Sequence, residues 1–241
     1  MKYLKLFFLF IFFILVITII LIKVFGIWIL NPDHNIYQIR GIDISHHQGD
    51  IEWNKVKNSK IDFIHIKATE GGDFVDKKYA ENIRNINKIQ IPVGVYHFFT
   101  LCTRGEVQAE NFTSHIEKEK VQLAPVVDLE FPGNCRKRPS KDEFVIELKK
   151  FLEIVEKYFG RPVIFYTNDE FYKVYLQEDF QNTLYWYRNI FGDTKSFKSK
   201  SIIWQYSEFG RVAGIKTPVD LNAVKLEDWN LILQIPKSNY P

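Results

Sequence analysis

The chain has 241 residues, enough for one large domain or two small ones. Hydrophobic residues make up 46% and charged residues 25%, a globular balance that excludes a disordered chain. A formal charge of only +3 gives no basic footprint, so nucleic acid is not an expected partner.

The N-terminus reads as a membrane element. Lys2 and Lys5 precede Leu6 to Ile22, a run whose only polar residue is Thr18, and a second apolar stretch, "VFGIWIL", follows Lys23. A helix rising about 1.5 Å per residue over this region can cross a hydrocarbon core of roughly 30 Å. The positive flank keeps the tail in the cytoplasm and exports the rest. The expected division is a cytoplasmic tail at 1–5, a transmembrane signal anchor at 6–30 and an extracytoplasmic domain at 31–241. A cleaved signal peptide, giving a secreted protein, is the alternative. It would show a shorter apolar run and a small-residue cleavage site, whereas no A-x-A pattern is present and Trp28 reads as an interfacial anchor.

Strand and helix patterns alternate from Asn31 onward. "IRGIDIS" (39–45) is a strand, "WNKVKNS" a short helix and "DFIHIKAT" (62–69) the second strand. A helix is expected at about 76–88, with Tyr79, Ile83 and Ile86 at helical spacing, then a third strand, "IPVGVYHFF" (91–99). Thr103 and Glu106 have the spacing of a capping box, as do Ser140 and Glu143. The fourth strand, "APVVDLE", lies between those two helix starts. The helix after Ser140 carries a stripe of Phe144, Leu148, Phe151, Leu152 and Val155. "RPVIFYTN" (161–168) is the fifth strand. Strand-like "TLYWYRNI" (183–190), "SIIWQYS" (201–207) and "GIKTPVDLN" (214–222) follow, with only "DEFYKVYLQ" as a helix among them. Alternation predicts a parallel sheet with right-handed crossovers, and eight strands predict closure into a barrel whose last part is stripped of helices.

Side chains alternate along a strand. If Val127 and Leu129 face the helical layer, Asp128 and Glu130 point into the barrel mouth with Val126. The same parity turns Asp43, Lys67 and Thr69 inward and puts Tyr96 on one face with Gly94 and Phe98. On the later strands one choice turns Tyr166, Trp186, Arg188, Gln205 and Asp220 inward. A lone strand-end Asp commonly starts a turn. Asp43, Asp128, Glu130 and Asp220 come from three strands, and the strand-end mouth is where barrel enzymes place their chemistry. Crowded, partly desolvated carboxyls raise one another's pKa, which suits acid–base work such as glycoside hydrolysis. No G-x-S-x-G elbow points to a nucleophilic serine. Asp43, His46, His47 and His97 are the competing metal set. In extended backbone, however, His46 and His47 would face opposite ways, and no H-E-x-x-H is present, so no metal and no cofactor is expected. The two cysteines, Cys102 and Cys135, either pair outside the cytoplasm or are unrelated buried thiols.

The ordered series "GIDISHHQGDIEW", "IKATEGGDFVD", "VGVYHFF", "QAENF", "PVVDLE", "IFYTN", "WQYS" and "VDLN", from Gly41 to Asn222, resembles the glycoside hydrolase family 25 lysozymes, the Chalaropsis-type N-acetylmuramidases. The resemblance implies a TIM-like, flattened (β/α)5(β)3 barrel, here preceded by a transmembrane helix. It implies cleavage of the β-1,4 bond between N-acetylmuramic acid and N-acetylglucosamine in peptidoglycan glycan strands. Glu130 matches the family's general acid and Asp128 its partner, with Asp43 and Asp220 as the other acids of the cleft. Tyr96, Lys67, Glu70, Trp186 and Gln205 match positions lining the cleft, and Tyr166 joins them by parity. The resemblance leaves a substrate-assisted and an inverting route open. His65 replaces an aliphatic residue and "YWYRN" brings Arg188 to the mouth, departures that bear on substrate preference. Cys102 follows the third strand and Cys135 the fourth. Adjacent strands lie about 4.8 Å apart, so a Cys102–Cys135 disulfide at the cleft rim is expected. A monomer is expected. A non-catalytic peptidoglycan-binding protein on the same fold and a metal-dependent carbohydrate deacetylase are the alternative functions.

Overall fold

The structure is a computed structural model that describes residues 2–25, 31–195 and 197–233. Trp28, the end of the expected anchor and the tail after Leu233 lie outside the described residues. Helix α1, Lys2–Phe25, contains the predicted apolar run, and its side chains from Tyr3 to Leu21 are not buried by the rest of the chain.

Nine strands follow: β1 (Ile39–Ile44), β2 (Phe63–Glu70), β3 (Phe74–Val75), β4 (Val93–Phe98), β5 (Val126–Leu129), β6 (Ile164–Asn168), β7 (Tyr185–Arg188), β8 (Ser201–Gly210) and β9 (Val219–Val224). Eight close into a barrel in the order β1-β2-β4-β5-β6-β7-β8-β9, and β9 pairs back on β1. The predicted strands are all present. The short β3, a hairpin partner of β2 outside the ring, is an addition. The expected parallel sheet holds from β1 to β8, but β9 runs antiparallel to both neighbours. Connection length explains this. Residues 211–218 are too few for a crossover, which needs about a dozen residues, whereas 189–200 just suffices to keep β8 parallel to β7.

Helices α2 (Trp53–Lys57), α3 (Tyr79–Ile89), α4 (Gly105–His115) and α5 (Lys141–Phe159) cover the first half of the barrel. A short α6 (Asp169–Phe171) runs into a π-helical turn at Tyr172–Leu176. Ser140 and Glu143 form the predicted capping box of α5. The Thr103–Glu106 box does not form. Helix α4 starts at Gly105, and its first N–H donates to the Glu147 carboxylate of α5 at 2.7 Å. Gly105 is needed there, because a Cβ would lie 1.8 Å from the Glu147 carbonyl oxygen. The start of α4 thus packs its backbone on a side chain from the second turn of α5, a contact between distant segments that local spacing does not reveal.

The parity reading holds for most of the barrel. Ile42, Ile64, Ile66, Val95, Val127, Leu129 and Phe165 pack outward with the helices. Phe63, Val126, Ile164, Tyr166, Trp186, Ile203 and Val224 fill the interior. Thr69 is the exception. The β2–β4 register slips between Lys67 and Thr69, and Thr69 turns out to hydrogen-bond His97 Nδ1 at 2.7 Å. The extra residue of such a bulge reverses the alternation beyond it.

Candidate active site

Asp43 stands near the end of β1, Asp128 near the end of β5, and Glu130 one residue past it. Asp220 comes from the start of β9, not from a strand end, because β9 is antiparallel. It reaches the same mouth directly opposite Asp43 in the β1–β9 register. Asp43, Tyr96, Asp128, Glu130, Tyr166, Trp186 and Asp220 line one pocket of about 110 Å³.

One hydrogen-bond chain holds Asp43. Its Oδ2 accepts from Asn222 Nδ2 at 2.7 Å and from Gln205 Nε2 at 3.2 Å. Tyr166 OH donates to Gln205 Oε1 at 2.9 Å, and Trp186 Nε1 donates to Asn222 Oδ1 at 2.8 Å. Gln205 is therefore a partner of Asp43 rather than a wall of the pocket. Asn222 was not singled out from sequence. The available signal was its place two residues after Asp220, on the same strand face.

Lys67 and Glu70 form an ion pair of 2.6 Å. Three residues apart on a regular strand they would face opposite ways. The bulge that turned Thr69 outward returns Glu70 inward, beside Phe98 in the β4 register. The Lys67 ammonium lies 4.9 Å from the Phe98 ring centre. Arg188 pairs with Glu208, a residue that sequence reading missed because it follows a register shift late in β8.

Electrostatics separate the carboxyls. Burial pushes Glu130 up to about 7, against the pull of Arg188 and with a push from Asp43. Asp128 is held well above the usual carboxylate range, first by burial and then by the Glu130 charge, with Lys67 opposing. Burial and the Asp43 charge also raise Asp220, and burial raises Asp43 against its bonds to Asn222 and Gln205. Tyr96 and Tyr166 stay phenolic, because burial and the nearby carboxylates disfavour ionisation. Burial and mutual repulsion thus raise all four carboxyl groups of this mouth. Glu130 is the member poised to exchange a proton near pH 7.

The histidines take other roles. His46 and His47 do not point apart: they sit on the 3-10 turn His46–Gln48 with ring centres 4.1 Å apart, and His46 Nδ1 lies 2.7 Å from Asp76. His97 faces the helices, bonded to Thr69 and near Gln108. Of the competing metal set, His97 thus lies on the helix side of the barrel wall while Asp43 faces the mouth. His65 is fully buried in the barrel interior, its ring centre 4.9 Å from that of Trp186, and burial pushes its imidazole down to about 3. It faces Gly94 in the β2–β4 register, where a Cβ would lie 2.4 Å from the ring.

The expected disulfide is present: Cys102 and Cys135 are bonded, with Cα atoms 6.2 Å apart. Asn134 reinforces it. Its Nδ2 donates to the Glu130 and Phe99 carbonyls at 3.0 and 2.8 Å, and its Oδ1 accepts from Leu101 N at 2.9 Å.

A closed eight-stranded barrel with carboxyl groups crowded at one mouth is the frame of an acid–base hydrolase. The family model for glycosyl hydrolases family 25 matches residues 42–215. Uncharacterized protein YegX of Escherichia coli K12 is 30% identical over 196 residues, 77% of this chain and 69% of its own length. Lysozyme M1 of Streptomyces globisporus is 28% identical over 211 residues, 76% of this chain and 67% of its own. The structure of a family 25 glycosyl hydrolase from Bacillus anthracis superimposes with a TM-score of 0.76 at 35% identity, covering 83% of this chain and 94% of that one. The chain belongs to glycosyl hydrolase family 25 and is a glycoside hydrolase.

Proposed function

We propose that the chain is an extracytoplasmic N-acetylmuramidase that cleaves the β-1,4 bond between N-acetylmuramic acid and N-acetylglucosamine in peptidoglycan. The observation that carries this reading is the acidic mouth, with Glu130 protonated close to neutrality beside the more enclosed Asp128. Lysozymes among the relatives support the substrate class.

Glu130 gives its proton to the glycosidic oxygen as the bond to C1 breaks. The carbonyl oxygen of the 2-acetamido group closes on C1 to form an oxazolinium. Asp128 orients the acetamido N–H and stabilises the positive charge, and that N–H donor in turn favours its ionised form. Water then opens the ring, giving up a proton to Glu130. In the inverting alternative a carboxylate instead activates the water directly. Asp43 and Asp220 complete the acidic wall, and Tyr96, Tyr166, Trp186 and the Lys67–Glu70 pair shape the sugar site.

Residues 1–5, 6–30 and 31–241 act as tail, anchor and catalytic domain. The 24 residues of α1 span about 36 Å, more than a hydrocarbon core of roughly 30 Å. Thr18 meets its polar need within the helix, donating to the Ile14 carbonyl at 2.9 Å. Recovery of the intact N-terminus in the membrane fraction supports the anchor; a soluble product lacking it supports a cleaved signal.

The decisive assay is release of muropeptides from purified peptidoglycan by the full chain. Glu130→Gln is expected to lower kcat by about 10²–10⁴, the usual worth of a general acid. Equal release by both proteins refutes the role of Glu130, and release by neither refutes the activity.

A further inference from the structure

A second cavity, of about 280 Å³, lies between the ends of β4 and β5 and the starts of α4 and α5. It exceeds the acidic pocket in volume and has no part in the bond-breaking step. Its floor is apolar: Phe99, Leu101 and Phe144 are buried there, while Ile146 is 54% exposed. Arg104 and Lys137 border it from the two loops that the disulfide joins. Arg104 lies 3.8 Å from Glu106, and its side chain is 71% exposed. The Glu143 and Glu147 carboxylates, also at its edge, accept from the backbone N–H groups of Ser140 and Gly105. The lining thus joins apolar surface to two cations and two anions.

This cavity is coupled to the chemistry through backbone. Phe99 follows Phe98, the strand-end residue beside Lys67. The Asn134 side chain ties the backbone of Phe99 and Leu101 to the carbonyl of Glu130. The Glu130 and Phe99 carbonyls accept from the same Asn134 nitrogen, at 3.0 and 2.8 Å, so the acid and the groove share one stretch of the rim. Each muramic acid of peptidoglycan carries a short peptide with small apolar side chains, free carboxylates and a diamino-acid ammonium. Four extended residues reach about 13 Å, enough to pass over the rim.

Resting on the muramidase reading, we infer that this groove is a subsite for the zwitterionic stem peptide of the muramic acid bound in the acidic pocket. Arg104 and Lys137 take the peptide carboxylates, Phe144 and Ile146 cover its small side chains, and Glu143 and Glu147 supply counter-charge to its ammonium. The Cys102–Cys135 bridge holds the two walls in register.

The test compares the full chain on two substrates: intact peptidoglycan, and the same glycan stripped of its peptides by an amidase. Lys137→Glu and Ile146→Asp alter solvent-exposed side chains. Each is expected to raise KM on the intact substrate roughly three- to tenfold, with kcat held and with hydrolysis of the stripped glycan unchanged. Equal losses on both substrates, or no loss on either, overturn the inference. Calorimetry with the free tetrapeptide Ala-γ-Glu-Lys-Ala reads the subsite without turnover. Binding weakened by Lys137→Glu supports it, and no binding, or binding indifferent to that change, overturns it. Failure of the wild type to cut either glycan counts against the muramidase reading alone, since the peptide titration still decides the subsite.

Discussion

Arg188→Met tests the electrostatic account of the acid most directly. Glu130 is raised by burial to about 7, and the Arg188 guanidinium is the foremost influence holding it down. A group with a pKa of about 7 is roughly nine-tenths protonated at pH 6 and one-tenth at pH 8. Activity that needs the proton should therefore fall about tenfold per unit on the alkaline side. An unshared opposite charge nearby lowers a carboxyl by about 1–3 units. Arg188 is shared with Glu208, and both side chains are partly exposed, at 26% and 34%. Its removal should therefore raise Glu130 by less, about 0.5–1 unit. The alkaline limb of the rate profile moves up by that amount, and relative activity at pH 8 rises roughly 2.5- to 5.5-fold. The assay is the initial rate of reducing-end release from peptidoglycan between pH 5 and 9. Arg188→Met combined with Glu208→Gln separates loss of the cation from the newly unpaired anion. A limb that stays put or moves to lower pH in both variants refutes the reasoning, as does a wild-type limb near 4.5.

Two further outcomes follow from the same geometry. Glu130 titrates at 4.5 when unperturbed and about 7 in the fold, so the folded state holds the extra proton between those values. Its contribution to stability is present at low pH and is lost as pH rises through 7, to the extent of about 3 kcal/mol. Glu130→Gln should accordingly melt several degrees above the wild type at pH 8 and close to it at pH 4.5; scanning calorimetry showing the reverse order contradicts this. The disulfide closes a loop with a sequence separation of 33. Chain entropy values that constraint at about 4 kcal/mol. Paired Cys102→Ser and Cys135→Ser changes should lower the urea midpoint accordingly, and an unchanged midpoint would show the loops to be held by Asn134 alone.

Much of the site could be read from the chain before folding. Period-two alternation is a local property, so "VVDLE" and "GIDIS" already sort their side chains into a helix-facing and a mouth-facing set. The apolar run at the N-terminus and the Ser140–Glu143 cap are local in the same way. Tertiary structure decided what depends on register. The Lys67–Glu70 pair and the outward turn of Thr69 both come from one bulge between β2 and β4. Asn222 and Gln205 meet Asp43 across 179 and 162 residues of chain, through strands that pair only when the barrel closes. The Thr103–Glu106 spacing fails as a capping box because α4 takes Arg104 as its N-cap, and its first N–H goes instead to Glu147 of a second helix. Alternation tells each residue which face it occupies, but the choice of neighbour on that face belongs to strand register, and register is set by the whole barrel at once.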